Sequence, residues 1–312
     1  MRTPDSIDSA ALLALGRQLH AQDYRFITPT PATHGCVNAR AGNAWALDSR
    51  GLLGWSRPAR FGDGLDDLMD TLRSAGILEQ ARDGWRSTLR ASTLGEQLYF
   101  HSAYPTDAND AVFFGPDTYR FVRALLAAPP AGLVRRIIDI GCGAAPGAIA
   151  LALRHPEAEV IAADINPRAL QLAQVNAALA GATRLRTCRS DVLANVDGEF
   201  DLIVSNPPYM IDDAGRAYRD GGDDLGGALS QRIVQEAAGR LAPGGLLQLY
   251  TGSAIVDGRD TLRERCGVFL ERAGLAWTYE EIDPDVFGEE LAVPAYARVE
   301  RIAAILLSAR RR

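Results

Sequence analysis

The run Asn206-Pro207-Pro208-Tyr209, directly after the apolar segment 200–205, could hold a flat amino group. The two prolines fix successive φ angles and remove two N–H donors, and a residue before proline is pushed towards an extended conformation. We therefore expect a rigid shelf at a strand end, where carbonyl oxygens and the Asn206 amide accept N–H bonds and the Tyr209 ring stacks on the acceptor. A proline-rich turn with a packed aromatic is the other interpretation, and the run alone does not decide between them.

A glycine-rich turn between a predicted strand and a predicted helix forms the second motif. The apolar residues 137–140 predict a buried strand and residues 148–154 a helix. Glycines between them allow a tight turn and the close approach of a ligand to the backbone, although their spacing is one residue longer than the dinucleotide fingerprint. The turn and its flanks are candidate ligand contacts: Asp139, Gly141, Cys142, Gly143, Ala144, Ala145 and Gly147.

Acidic residues follow the next two predicted strands. Asp164 ends the strand 159–163, where it could bind ribose hydroxyls or cap the helix predicted at 167–180. Asp191 follows the strand 185–188 and could accept a hydrogen bond from an adenine amino group, or be an ordinary turn aspartate. Two neighbours of these acids and the first residue of the shelf complete the candidate ligand contacts: Ile165, Val192 and Asn206.

In order and spacing, these motifs resemble those of the class I S-adenosylmethionine-dependent methyltransferases, over residues 112–307. The Asn-Pro-Pro-Tyr form resembles the amino-methylating branch, which includes HemK-type protein-glutamine methyltransferases, adenine-N6 DNA methyltransferases and guanine-N2 ribosomal RNA methyltransferases. The glycine-rich stretch 219–226 is similar to one that HemK-type enzymes carry after their catalytic loop. One departure is the strand at 246–252, where HemK-type enzymes usually place a glutamate and this chain has none.

The resemblance implies that the candidate ligand contacts named above bind S-adenosylmethionine as cofactor. It also implies methyl transfer to a planar amide or amino nitrogen. The implied catalytic residues are Asn206 and Pro207, whose oxygens would each accept one N–H of the acceptor, and Tyr209, which would stack on it. The segment 114–119 resembles the part of these enzymes that covers the methionine end of the cofactor. The expected acceptor-binding residues are Asn206, Pro207, Pro208, Tyr209, Phe114 and Tyr119.

The charge balance bears on the acceptor. All 33 basic residues are arginine, the net charge is −6, and no basic footprint of the kind typical of nucleic-acid binders is visible. This favours a protein glutamine side chain or another non-nucleic-acid acceptor, including a small molecule. A nucleobase of RNA or DNA is the alternative acceptor. A non-catalytic cofactor- or RNA-binding scaffold is the alternative of another class, but such a protein should have lost at least one of the motifs.

The element pattern predicts an α/β protein with two domains. From residue 137 to residue 273 strands and helices alternate, which predicts a Rossmann-like, mostly parallel sheet closed by an antiparallel C-terminal edge hairpin at 276–282 and 299–307. We assign this part, residues 106–312, to the methyltransferase domain. Residues 1–105 predict a smaller α+β, winged-helix-like domain for substrate recognition or an accessory role. Its elements are a helix at 6–22 with Ser6 as a possible cap, a helix at 65–75, and strands at 77–79, 85–91 and 98–103.

Composition bounds the remaining properties. No apolar run approaches the ~20 residues that cross a bilayer, and the first residues lack an apolar signal region, so we expect a cytoplasmic protein without membrane contact. The four cysteines and four histidines are scattered, which predicts reduced thiols and no metal site. His34 and His101 could reach the acceptor, although packing or surface roles are expected more often. The oligomeric state is not indicated.

Overall fold

The computed structural model describes residues 7–81, 83–212, 215–216 and 218–312. Its N-terminal part contains helices α1 (Ser9–Ala21), α2 (Pro31–Asn38) and α3 (Asp66–Ser74), with a π-helical turn at Arg50–Gly54. Two hairpins follow, formed by β1 (Leu78–Ala81) with β2 (Gly84–Ser87) and by β3 (Leu89–Leu94) with β4 (Gln97–Ser102).

Two local predictions for this part need comment. Ser6, the expected cap of the first helix, lies outside the described residues, and Asp8 caps α1 by accepting hydrogen bonds from the Ala10 and Ala11 amides. The single strand predicted at 85–91 is wrong, because the chain turns between β2 and β3. The Ser87 hydroxyl donates to the Leu89 carbonyl and accepts from the Leu89 amide, a side-chain alternative to sheet pairing.

The rest of the chain alternates strands and helices, as predicted. In chain order its elements are α4 (Pro116–Ala127), β5 (Arg136–Ile140), α5 (Pro146–Arg154), β6 (Glu159–Asp164), α6 (Pro167–Ala180), β7 (Leu185–Arg189), β8 (Phe200–Ser205), α7 (Ala228–Ala238), β9 (Leu241–Val256), β10 (Arg259–Asp260), α8 (Thr261–Arg272), β11 (Ala276–Asp283) and β12 (Arg301–Arg310). Short 3-10 turns at Gly288–Ala292 and Pro294–Tyr296 lie between β11 and β12.

The main sheet has the strand order β11-β12-β9-β8-β5-β6-β7, with the short β10 paired to β9. Neighbours from β9 to β7 are parallel, whereas β12 runs antiparallel to both β9 and β11. The predicted mostly parallel, Rossmann-like sheet with an antiparallel C-terminal strand is therefore confirmed. The antiparallel strand β12 is second from the edge, because β11 lies outside it.

The N-terminal elements pack on one face of this sheet through α6. Asn176 of α6 is fully buried, and its side chain bonds to both the amide and the carbonyl of Phe100 in β4. Gly16 of α1 lies so close to Leu179 that a Cβ would be 2.6 Å from a Leu179 methyl carbon. Residues of α1, β4, α5 and α6 consequently share one hydrophobic cluster. A second cluster lies under α7 and α8.

Candidate active site

A cavity opens at the carboxyl ends of β5 and β8, where strand order reverses and ligands of open α/β sheets bind. The two strands are paired up to Ile140 and Ser205, so the turn after β5 and the shelf after β8 begin side by side. The cavity is lined on one side by residues 139–143, 164–166 and 190–192, and on the other side by residues 206–210.

The turn after β5 leaves room for a ligand. Gly141 and Gly143 have φ angles of 68° and 53°, which L side chains rarely adopt, and a Cβ on Gly141 would meet no atom within 4 Å. Both glycines therefore present bare backbone to the cavity. The turn is held from the neighbouring strand, since the Gly143 amide donates to Asp164 Oδ2 at 2.8 Å and the Cys142 amide donates to the Ala163 carbonyl.

Asp139 is the buried acid of this turn. Its Oδ2 accepts the Ala148 amide at 2.9 Å, whereas its Oδ1 has no hydrogen-bond partner among the described residues. Burial raises the pKa of Asp139 to about 7, with the Ala148 bond opposing the shift and Asp164 adding to it. The side chain lines the cavity. An unpartnered carboxylate oxygen at this position fits a ligand that carries a positive charge or an N–H group.

Three of the predicted cofactor residues shape the turn but do not line the cavity: Ala144, Ala145 and Gly147. Ala145 has a left-handed φ of 62° and is the N-cap residue of α5, and the Ala144 carbonyl accepts the Asn176 side chain. A Cβ on Gly147 would lie 2.6 Å from Phe121 and 2.9 Å from Asp139 Oδ2. Glycine at 147 therefore lets α5 pack against α4 and keeps Asp139 in place.

The acids after β6 and β7 both line the cavity but differ in their partners. Asp164 accepts the Gly143 and Asn166 amides, burial raises its pKa, and Asn166 rather than Asp164 caps α6. Asp191 is bound bidentately by Arg232 of α7, at 2.9 and 3.0 Å. Carboxylate oxygens have further lone pairs, so both acids can still accept ligand hydrogen bonds.

Apolar side chains flank these acids and provide faces for a flat ring. Ile165 is 53% exposed and Val192 has a left-handed φ of 48°, and both line the cavity as predicted cofactor residues. Leu229 and Ile233 of α7 line it as well, and the sequence analysis did not assign them. An exposed isoleucine beside the Asp164 carboxylate fits a nucleoside, whose base is planar and whose ribose carries hydroxyls.

The shelf after β8 lines the opposite wall, with Asn206, Pro207, Pro208 and Tyr209 all facing the cavity. Within the described residues the Asn206 side chain makes no hydrogen bond, which leaves its amide oxygen for a ligand. Tyr209 is only 8% exposed. Its hydroxyl donates to the buried Asp117 carboxylate, whose other oxygen accepts the Tyr250 hydroxyl at 2.9 Å.

The glycine-rich stretch after the shelf packs directly on the Tyr209 backbone. A Cβ on Gly221 would lie 2.7 Å from Tyr209 Cα, and a Cβ on Gly226 would lie 2.9 Å from the Met210 carbonyl carbon and closer still to Tyr209. Gly226 also has a left-handed φ of 87°. Residues without a side chain are thus needed here because the two backbone segments are in contact. This contact fixes the position of the Tyr209 backbone.

Phe114 and Tyr119, assigned above to the acceptor site, do not line the cavity. Phe114 is 3% exposed and stacks on His101, with ring centroids 4.9 Å apart, and the Tyr119 hydroxyl accepts the Thr28 amide. Both belong to the contact between the segment 114–119 and the N-terminal elements, so the structure does not place them at the acceptor site. Phe113 and Tyr218 line the cavity instead, with their rings nearly parallel.

His34 and His101, the two histidines considered for the acceptor, are engaged inside the protein. His101 is fully buried, and its Nε2 lies 2.8 Å from the Ser92 hydroxyl. His34 Nε2 lies 2.8 Å from the Trp55 carbonyl, and its ring packs on Tyr104. Burial lowers the pKa of both. Neither histidine lines the cavity, so the structure favours packing roles.

The parallel sheet, the glycine turn after its central strand and the Asn-Pro-Pro-Tyr shelf beside it define a class I methyltransferase. Comparison with known proteins agrees, since the family model "Methyltransferase small domain" matches residues 118–266. A release factor glutamine methyltransferase of Cereibacter sphaeroides is 33% identical over 216 residues, covering 65% of this chain and 72% of that protein. The chain belongs to the family of HemK-type class I methyltransferases.

Other comparisons are more partial. The chain spans 57–58% of the length of two further release factor glutamine methyltransferases that it matches at 38% identity. The ribosomal RNA small subunit methyltransferase C of Mannheimia succiniciproducens is 30% identical over 220 residues, covering 67% of this chain and 59% of that protein. The solved structure of Trm5b from Pyrococcus abyssi has a TM-score of 0.50 at 17% identity, covering 75% of this chain and 62% of that one, and shares the fold.

Proposed function

We propose that the protein binds S-adenosylmethionine and transfers its methyl group to a planar amide or amino nitrogen. The observation that carries the proposal is that one cavity is lined by both the glycine turn and the shelf, whose Asn206 side chain makes no hydrogen bond within the described residues. The residues present fit the cofactor. Asp139 offers an unpartnered oxygen to a cation, Gly141 and Gly143 leave space for its chain, and Asp164 beside Ile165 suits the nucleoside.

When bound, S-adenosylmethionine supplies a methyl group on a positively charged sulfur, which leaves as a neutral thioether. The acceptor nitrogen is a poor nucleophile because its lone pair is delocalised into an amide or a ring. The Asn206 amide oxygen and the Pro207 carbonyl would each accept one N–H, which orients the lone pair and returns electron density to nitrogen. Positioning in near-attack geometry supplies much of the acceleration. The nitrogen then loses its extra proton to water.

The acceptor we favour is a glutamine side chain of a protein. The similarity to release factor glutamine methyltransferases supports this acceptor, as does the net charge of −6. A nucleobase is the second candidate, since one relative is a ribosomal RNA methyltransferase. The free Asn206 amide and the open glycine turn argue against a non-catalytic scaffold.

We further propose that residues 1–105 form the acceptor-recognition or accessory domain beside the methyltransferase domain at 106–312. We also propose a cytoplasmic location.

Among the described residues no group of three or more His, Cys, Asp or Glu side chains could hold a metal ion. In the same part of the chain no helix is long and apolar enough to cross a membrane.

The acceptor class can be tested with methyl-labelled S-adenosylmethionine and fractionated lysate. Label should enter the protein fraction and, after digestion, be recovered as N5-methylglutamine. Asn206→Ala protein in the same lysate controls for endogenous enzymes and should add about 100-fold less label. Label confined to RNA would overturn the protein acceptor, and no label in any fraction would contradict methyl transfer.

Cofactor affinity is expected to depend on the ionisation of Asp139. Because burial raises its pKa to about 7, the carboxyl group is largely protonated at pH 6 and largely ionised at pH 8. Only the ionised form complements a cationic ligand, so affinity should rise by up to about tenfold from pH 6 to pH 8. Calorimetric titrations at several pH values measure this. Asp139→Asn should bind more weakly with a flat profile, and an equal slope in that variant would assign the dependence to another group.

A further inference from the structure

The connection between β11 and β12, residues 284–300, is far longer than a hairpin needs. Adjacent antiparallel strands can be joined by two to five residues. Here the connection instead contains the two 3-10 turns and contacts Tyr209 and Ile211 at the shelf. Its contacts, rather than its length, suggest what it does.

Three contacts attach this connection to the surroundings of the shelf. Tyr296 is 1% exposed, and its hydroxyl accepts the amide of Ile211, two residues beyond Tyr209, at 2.8 Å. Glu290 forms an ion pair with Arg219 at 2.5 Å, and Arg219 itself lines the cavity. The Val286 amide donates to the Ile302 carbonyl at 2.8 Å, which fixes the start of the connection to β12.

Phe287 is the part of the connection that reaches the cavity. Its ring lines the wall and meets Tyr209 edge-on, with centroids 6.0 Å apart and planes at 69°. Its φ of 57° is left-handed, which costs a bulky residue about 1 kcal/mol or more. The attachments at Val286, Glu290 and Tyr296 hold the residue in this conformation. The backbone is thus constrained so that an aromatic ring stands beside the shelf.

Among the described residues, the wall that Phe287 completes is aromatic, and the arginine that lines it is ion-paired. Phe113 and Tyr218 line the same cavity, and Arg219 is neutralised by Asp212 and Glu290. An acceptor with a phosphate or carboxylate near its reacting nitrogen would find no unpaired cation among the described residues of this wall. The wall suits a neutral planar group on a narrow apolar stem, as in a primary amide on an aliphatic chain.

We propose that Phe287, held by residues 284–300, is a specificity-determining residue that limits the width of the acceptor group beside Tyr209. This inference rests on the proposed transfer to a planar nitrogen. Replacing the benzyl side chain of Phe287 with the methyl group of alanine widens the space beside Tyr209 without changing the glycine turn or Asn206. The variant should therefore accept broader planar amides while it binds the cofactor as before.

The test uses two primary amides that differ in width, N-acetylglutamine methylamide and benzamide. Phe287→Ala should raise kcat/KM for benzamide relative to the glutamine amide by about tenfold or more, since pocket size discriminates on this scale. Val293→Ala, in the same connection but outside the cavity lining, is the matched control and should keep the wild-type ratio. Affinity for S-adenosylhomocysteine, measured by calorimetry, should be equal in all three proteins.

A binding measurement separates this inference from the proposed function. Ligand-observed NMR of both amides, with protein saturated by S-adenosylhomocysteine, measures their relative binding in the absence of methyl transfer. If wild type transfers no label to either amide, amide methylation fails, yet Phe287→Ala must still shift relative binding towards benzamide. An unchanged ratio in both measurements, with cofactor affinity intact, would overturn the role of Phe287.

Discussion

Replacing Asn206 with alanine should reduce methyl transfer by about 100-fold or more while leaving cofactor affinity close to wild type. The side chain lines the cavity and makes no hydrogen bond within the described residues, so its removal deletes an oriented acceptor without disturbing packing. Removal of one preorganised hydrogen-bonding group from an active site costs about 10²–10³ in rate. Initial rates with labelled cofactor, together with calorimetric affinity for S-adenosylhomocysteine, give both quantities.

Asn206→Asp is the informative control for this prediction. A carboxylate keeps an oxygen that can accept an N–H, so partial activity is expected if acceptance is the essential role. Equal loss in both variants would indicate that the amide NH2 matters as well. Turnover of Asn206→Ala near the wild-type rate would contradict the assigned role altogether.

The motifs that lie on strand ends were predictable because parallel strands bring their carboxyl ends to one edge. Gly141, Asp164, Asp191 and Asn206 each follow a predicted strand, and the cavity is lined by all four. The strand alternation that places them was readable from apolar runs of four to six residues. Most of the proposed cofactor-binding residues could therefore be predicted from the local sequence.

The acceptor side was less predictable because it is built by contacts distant in sequence. Phe114 and Tyr119 were chosen by their position in a motif. In the structure the preceding residue, Phe113, lines the cavity, whereas Phe114 stacks on His101. Phe287 lies 78 residues beyond Tyr209, in a connection without regular periodicity, and nothing local marks it. Such residues are found only when the fold brings them together.

The hydrogen bonds of Asp117 beside the shelf were also not predictable from the sequence. Its partners Tyr209 and Tyr250 lie 92 and 133 residues away, so the sequence gives no sign that one carboxylate serves both hydroxyls. Tyr250 stands in the strand where HemK-type enzymes usually carry a glutamate. Sequence spacing alone could not show that Tyr250 of this strand contacts Asp117.

Asp117→Ala should lower both stability and turnover. Asp117 is 2% exposed, and its removal leaves two buried hydroxyls without their acceptor, which should reduce the free energy of unfolding by about 2–4 kcal/mol. Tyr209 would lose the bond that fixes its ring beside Asn206, so kcat should fall more than cofactor affinity. Denaturant unfolding and steady-state kinetics measure the two effects.

Two further variants separate positioning of the shelf from general stability. Tyr250→Phe removes one donor to Asp117 but leaves the Tyr209 bond, so it should cost about 1 kcal/mol with kcat near wild type. Tyr209→Phe breaks the other bond at a similar cost and should lower kcat. Because Tyr209 and Asp117 act as one unit, Asp117→Asn combined with Tyr209→Phe should be clearly less damaging than the sum of the single changes. Equal kcat in the two tyrosine variants would show that Asp117 serves stability alone.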